Sequence, residues 1–182
     1  MKQGEYDEAV IDSAVNFLYE KLRESGRNSK PVGLHSIRVA SILWNLSQSE
    51  SIIIAALLHD LVEDTNTNLS EIHSLFGADI AGIVDACTFD YGGDDYGKKL
   101  NAAYESIDRA REYGTSALLV KAADFIDNSN YYSLAKGIEL RKYLCDKFMY
   151  FMTVAEVDLK NSPILEMLVK ARSENVEKLY LS

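Results

Sequence analysis

The 182-residue chain is predicted to be an all-α, single-domain protein. Three observations carry that expectation. Apolar residues recur at three- and four-residue steps, as at Val10, Ala14, Phe17, Leu18 and Leu22, which is the repeat of one face of an α-helix. Alternation of β-branched residues is scarce, and Pro31 and Pro163 are the only prolines. An apolar content of 47% is ordinary for a globular protein and sufficient for a sizeable core.

The periodicity places helices near 6–24, 34–47, 50–62, 69–75, 78–88, 98–113, 115–132, 137–158 and 162–180. The first carries the Val10 to Leu22 stripe. The second carries Ile37, Val39, Ala40, Ile42 and Leu43 behind His35. The third contains the unbroken apolar run Ile52 to Leu58. Asn68, followed by Leu69, Ser70 and Glu71, reads as a capped start for the fourth. The apolar run Leu118, Leu119, Val120 anchors the helix at 115–132. Ser162-Pro163 places a capping hydroxyl before a first-turn proline for the last. That last helix, with Ile164, Leu165, Leu168, Val169, Val176 and Leu179, packs on its own domain or on a second subunit, so a homo-oligomer is compatible with it.

Two loops punctuate the pattern. Gly26 to Gly33 is short, polar and basic and leads into the helix of His35. Asp90 to Gly97 is rich in glycine and acid and reads as a mobile surface loop, with Tyr91 and Tyr96 as loop decoration. There is no internal repeat and no linker. The expectation is one domain over 1–182, with a core near 5–155 and a helical extension near 162–180.

The bulk numbers exclude several classes. A net charge of −9, from 28 acidic and 19 basic residues, argues against nucleic-acid binding, which needs a basic stripe. A small anionic substrate remains compatible, because a divalent cation and a few local Lys or Arg residues reverse the field in a cleft. Cys87 and Cys145 lie far apart in helical segments and read as buried thiols, with no disulfide framework. No N-terminal apolar stretch resembles a signal peptide, and no run approaches the roughly 20 residues that span a bilayer. The expectation is a soluble, cytoplasmic protein with no membrane partner.

The chemistry starts from His59-Asp60. An imidazole and a carboxylate at the end of a buried helical run are two metal ligands on a rigid support. Glu63 and Asp64 follow four residues beyond each, one helical turn or about 6 Å along the same face, and are suited to proton transfer. Of the two other histidines, His35 opens a helix and can project into a cleft, whereas His73 reads as structural or exposed. Asp124 follows an apolar run, where a carboxylate needs a partner, and coordination would supply one. Two His nitrogens and two Asp oxygens suit Mn²⁺, Fe²⁺ or Zn²⁺ better than Ca²⁺. Such an ion acidifies water and neutralises phosphate oxygens. Lys121 and Arg38 are placed to meet phosphate charge, and Asn128, four residues past Asp124, to hydrogen-bond a sugar or phosphate. Of Tyr131 and Tyr132, one could stack on a base, although core packing is the favoured reading.

The series His35…His59-Asp60…Asp124 resembles the HD superfamily of metal-dependent phosphohydrolases. Ala55-Ala56-Leu57-Leu58-His59-Asp60-Leu61-Val62-Glu63-Asp64-Thr65 resembles, more narrowly, the hydrolase domain of the (p)ppGpp-degrading stringent-response enzymes and small alarmone hydrolases. Phe76-Gly77-Ala78-Asp79-Ile80, Ile83-Val84-Asp85-Ala86-Cys87-Thr88 and Lys121-Ala122-Ala123-Asp124 with Asn128 resemble the same family, over roughly residues 5 to 155. The resemblance implies His35, His59, Asp60 and Asp124 as Mn²⁺ ligands. It implies that Glu63 and Asp64 orient or deprotonate the attacking water and handle the leaving group's proton, and that Asn128 contacts the ribose. The implied reaction removes the 3′-pyrophosphate of a guanosine alarmone.

The departures lie in the substrate shell. The family has an Arg-Lys pair and an aromatic residue just before its first His. Here Arg27 and Lys30 are the basic residues of that stretch, and Val32 stands where Tyr is expected. Phe125 replaces the usual Arg after the second Asp, and Asp127 the usual His or Tyr before the Asn. Two other readings therefore stand beside the alarmone: hydrolysis of a different nucleotide or phosphorylated metabolite, and a non-catalytic nucleotide-sensing module.

Overall fold

A computed structural model describes residues 6–25, 32–89, 91, 93 and 95–180. Among the described residues there are helices and turns and no strand, so the all-α class read from periodicity is the class observed. The chain divides into two compact units, Met1–Thr88 and Phe89–Ser182, and each has buried apolar residues of its own.

The first unit comprises α1 (Glu8–Ser25), α2 (Val32–Asn45), α3 (Glu50–Leu58), α4 (Leu61–Asp64), α5 (Leu69–Phe76) and α6 (Ala78–Cys87). Its centre is α3, which packs against α1, α2 and α6. Ile53 to Leu58 are buried without a break. A helix covered on all sides has no polar face to keep, and this is why the run Ile52 to Leu58 shows no helical period. Around it, α1 buries Ala14, Phe17, Leu18 and Leu22, the stripe its sequence predicts. At Gly33 an added Cβ would lie 2.9 Å from Tyr19 Cε1 and 3.3 Å from Leu22 Cδ1. The missing side chain thus lets the start of α2 lie against α1, two residues ahead of His35.

The helix expected over 50–62 is interrupted. It ends at Leu58, His59 and Asp60 form a turn, and α4 is one separate turn. The cause is local: Asp60 sits at φ −90°, ψ −7°, at the edge of the helical region. The Asp64 N–H nonetheless donates to the Asp60 carbonyl at 2.8 Å, so the one-turn offset between these residues survives.

Asn68 opens α5 with a reciprocal capping box. Its Oδ1 accepts from the Glu71 N–H at 3.1 Å, and Glu71 Oε2 accepts from the Asn68 N–H at 3.1 Å. Lys21 Nζ donates to Glu71 Oε1 at 2.9 Å, which ties α1 to α5 and lowers the Glu71 carboxyl from its ordinary value. The α5–α6 corner turns at Gly77, φ 89°, a left-handed conformation that favours glycine.

The second unit comprises α7 (Tyr96–Tyr113), α8 (Thr115–Ser129), a 3-10 turn (Tyr132–Leu134), α9 (Ile138–Asp158), α10 (Ile164–Ala171), a π-helical stretch (Arg172–Val176) and α11 (Glu177–Tyr180). Here α8 is central, packed by α7, α9 and α10. Phe125 of α8 stacks on Phe151 at 4.6 Å between centroids, and Phe148 meets it edge-on at 5.7 Å. Tyr150 stacks on Tyr104 at 4.1 Å and donates to the Asp108 carboxylate at 2.8 Å, which raises the Tyr150 phenol above its ordinary value.

Several boundaries differ from the expectation. α8 stops at Ser129, so Tyr131 and Tyr132 lie beyond it. Tyr132 is buried edge-on to Phe148, at 6.4 Å between centroids, while Tyr131 is exposed. This is the core packing favoured for the pair, met by one of the two. Tyr96 and Gly97 belong to α7 and not to a loop, because Asp95 Oδ1 accepts from the Lys98 N–H at 2.8 Å and caps the helix. Tyr96 Oη then donates to Asp146 Oδ2 at 2.8 Å. Residues 26–31, 90, 92 and 94 of the two expected loops lie outside the described residues. α10 opens with Pro163 at its N-cap and without the side-chain cap expected from Ser162. The C-terminal helix packs on α8 and α9 of its own unit. No described helix is long and apolar enough to cross a membrane.

Removing the Asn68 side-chain oxygen should open the capping box. Asn68→Ala is expected to cost about 1 kcal/mol, read as a lower urea midpoint with an unchanged slope.

Candidate metal centre and active site

In the first unit the strongest cluster is built from two helix ends and a turn. His35 lies one turn into α2, and His59 follows directly on the buried end of α3. Both are buried, at 6% and 4% exposure. Their rings stand 5.4 Å apart between centroids, tilted by 58°. Asp60 lies between them: its Oδ1 is 3.1 Å from His59 Nε2 and its Oδ2 3.5 Å from His35 Nε2. The orientation of His59 is set from behind. Its Nδ1 lies 2.8 Å from the Ala56 carbonyl, and a carbonyl only accepts, so Nδ1 carries the proton and Nε2 presents its lone pair to Asp60.

That donor set fits a divalent ion. A neutral imidazole lone pair facing a carboxylate oxygen is favourable only with positive charge between them, either a proton or a metal. A second-sphere carbonyl on the far ring nitrogen is the usual way a ligating His is aimed. Two imidazole nitrogens and a carboxylate match the borderline metals better than the oxygen-only preference of Ca²⁺.

Glu63 and Asp64 ride on α4. Glu63 is exposed and Asp64 half-buried. A single helical turn has no stability of its own, and two threonines hold this one. Thr65 Oγ1 donates to the Leu61 carbonyl at 2.5 Å, shares a hydrogen bond with Thr67 Oγ1 at 2.7 Å and accepts from the Thr67 N–H at 3.0 Å. Both threonines and Leu61 are buried. The sequence reading did not single out these threonines. Their signal is the pair of hydroxyl residues, spaced by one, immediately after the acidic pair. Arg38 lies one turn beyond His35 on α2 and is half-buried. His73 is exposed on α5, consistent with its exclusion from the cluster.

In the second unit, Lys121, Asp124 and Asn128 lie along α8 at the three- and four-residue offsets that share a helix face. Asn128 Nδ2 donates to Asp124 Oδ1 at 2.5 Å. Lys121 is buried, while Asp124 and Asn128 are half-buried. Phe125 and Asp127, the two departures on this helix, are both buried, and Lys147 Nζ lies 5.4 Å above the Phe125 ring. Arg27 and Lys30 lie outside the described residues.

An all-helical support carrying converging imidazoles and a carboxylate, with an acidic pair one turn further on, defines a metal-dependent hydrolase of the phosphohydrolase class. The chain belongs to the HD domain family, whose profile matches residues 14–136. It is 38% identical over 126 residues to guanosine-3′,5′-bis(diphosphate) 3′-pyrophosphohydrolase MESH1 of Danio rerio, covering 66% of this chain and 67% of that protein. A guanosine-3′,5′-bis(diphosphate) 3′-pyrophosphohydrolase of Aquifex aeolicus is 34% identical over 119 residues, covering 65% of this chain. The alignment spans only 17% of that longer protein. A solved structure of a metazoan ortholog of SpoT that hydrolyzes ppGpp shares the fold, with a TM-score of 0.73 and 23% identity, over 94% of this chain and 98% of that one.

If the two imidazoles and Asp60 hold a divalent ion, His59→Ala should weaken Mn²⁺ binding to metal-stripped protein by about ten-fold or more, measured by calorimetry. Unchanged affinity would exclude His59 as a ligand.

Proposed function

We propose that this chain is a manganese-dependent (p)ppGpp 3′-pyrophosphohydrolase. The observation that carries the reading is the convergence of His35 Nε2 and His59 Nε2 on Asp60, with Asp64 one backbone-bonded turn beyond. The family assignment supplies the class of reaction, and relatives bearing the 3′-pyrophosphohydrolase name point to the nucleotide. The family match runs through residue 88 without a break, which supports treating 1–182 as one functional domain.

In this reading His35, His59, Asp60 and Asp124 hold the ion. Asp124 is included on its order in the chain, its place within the family match and its hydrogen bond from Asn128. A bound divalent ion supplies an acidified water and neutralises phosphate oxygens. The protein's own residues do the rest. One carboxylate of the Glu63–Asp64 pair takes a proton from the attacking water. The water oxygen bonds to the phosphorus attached at the ribose 3′ position, the bond from that phosphorus to the 3′ oxygen breaks, and the other carboxyl group returns a proton to the 3′ oxygen. Pyrophosphate and a guanosine 5′-polyphosphate leave. Asn128, tethered to Asp124, orients the ribose. Lys121 and Arg38, with Arg27 and Lys30, balance the substrate's charge in a chain that carries −9 overall.

The departures Val32, Phe125 and Asp127 favour one second reading, the same chemistry on another nucleotide. A panel of ppGpp, pppGpp, pppApp and ordinary nucleotides, given to metal-stripped protein with added Mn²⁺, separates the two. Pyrophosphate release from ppGpp is the expected result. Release from another member alone overturns the alarmone assignment and keeps the mechanism. In the same assay Glu63→Ala should lower turnover by about 10²-fold or more while Mn²⁺ binding is retained. Full turnover in that variant would remove Glu63 from the reaction.

A further inference from the structure

The C-terminal segment contains the π-helical stretch Arg172–Val176, and such stretches are rare and frequently mark functional sites. This one presents Asn175 to the end of α8. Asn175 Nδ2 donates to Ser129 Oγ at 2.9 Å and to Asn130 Oδ1 at 3.2 Å. Those two acceptors are themselves the caps of α8. Ser129 Oγ donates to the Ile126 carbonyl at 2.8 Å, and Asn130 Nδ2 donates to the Ile126 and Asp127 carbonyls at 3.3 Å each.

A helix leaves its last four carbonyls without intrahelical donors, and three of those of α8 have donors here. Ile126 accepts from both capping side chains, Asp127 from the Asn130 side chain and from the Asn130 N–H at 3.3 Å, and Asn128 from the Tyr131 N–H at 3.0 Å. Asn175 has two amide hydrogens, and each holds one of the two capping side chains in the rotamer that caps. Val176, next to it, is fully buried, and its carbonyl lies 3.8 Å from Cys145 Sγ of α9, so the donor is anchored. The last turn of α8, closed in this way, is the turn that carries Asn128.

We infer that Asn175 is a positioning residue for Asn128, acting through Ser129 and Asn130, and that the C-terminal extension thereby sets the grip on the sugar of the substrate. The inference rests on the reading of Asn128 as a ribose contact. Asp124 sits one turn further inside α8 and accepts from Asn128 at 2.5 Å, so the clamp reaches this proposed metal ligand only through that one hydrogen bond. Loss of the clamp weakens substrate binding and leaves turnover at saturation as it was.

The test is a double-mutant cycle of Asn175→Asp with Asn128→Ala, read as KM and kcat for ppGpp, with hydrogen exchange of residues 126–131 followed in parallel. Asn175→Asp keeps the shape and removes both donors. It should raise KM about five-fold or more with kcat unchanged, both read at saturating Mn²⁺ because Asn128 also bonds Asp124. In the Asn128→Ala background it should add nothing, because both changes remove one interaction. Should Asn175→Asp fail to fold, Asn175→Ala, which brings no charge, carries the same test. Additive effects, or a lower melting temperature with KM unchanged, would overturn the inference. A wild-type protein silent on ppGpp would overturn the proposed substrate alone. The clamp would then be decided by exchange: faster exchange confined to 126–131 supports it, and unchanged exchange refutes it.

Discussion

The arrangement of the first unit follows from one electrostatic constraint: two imidazole nitrogens face the two oxygens of a single buried-edge carboxylate, Asp60. For His59, whose Nε2 lone pair faces Asp60, that geometry is unfavourable without a positive charge between the partners, and the backbone holds it in place. The Ala56 carbonyl fixes the His59 ring. Ala56 in turn sits in a run, Ile53 to Leu58, buried on every side. Gly33 admits the close approach of α2 to α1 and so sets the depth of His35. Close packing makes such a frame stiff, since interiors tolerate little change of volume. The frame determines how His35, His59 and Asp60 face one another.

A second constraint governs the acidic pair. Asp60 sits at the edge of the helical region at ψ −7°, and Leu61–Asp64 forms a turn separate from α3. A detached turn needs another source of order, and the Thr65–Thr67 hydroxyl pair with buried Leu61 provides it. The break suits the proposed roles: the proposed ligands His59 and Asp60 follow a rigid helix end, and the proposed proton-transfer pair Glu63–Asp64 rides on an adjoining turn with its own lock. α8 shows the same division within one helix, with Asp124 in the packed interior and Asn128 in the last, side-chain-capped turn.

The helices were legible because their apolar stripes are helical in period and their caps are chemically distinctive, as at Asn68. The clustering of His35, His59 and Asp60 in the first unit was legible because His and Asp adjacent to an apolar run are unusual enough to require a reason. Other features were not. The interruption at His59-Asp60 depends on a single ψ angle, which no periodicity encodes. The end of α8 at Ser129 is set by side-chain caps and by Asn175, forty-six residues away, and short-range pattern cannot register such a partner. Tyr96 was assigned to a loop because glycines and acids surround it, whereas Asp95 caps a helix there. In the last two cases a specific hydrogen bond outweighed local composition.

The departures from the family pattern gain meaning from where they sit. Phe125 stacks flat on Phe151 and edge-on to Phe148, and Asp127 is buried beneath the same helix. A side chain committed to the aromatic core of its unit cannot also reach a ligand without vacating that core, and refilling an aromatic cavity is costly. The loss of a basic residue at 125 is thus a change of packing, and Lys147, from α9, now holds a positive charge above that ring. Two of the three departures are in this way absorbed by the interior of the second unit. The third, Val32, is the first residue of α2, the helix that carries His35. Under the proposed function, a base-recognising element at that point shares α2 with the proposed ligand His35, so substrate preference and ligand placement would come under joint constraint there.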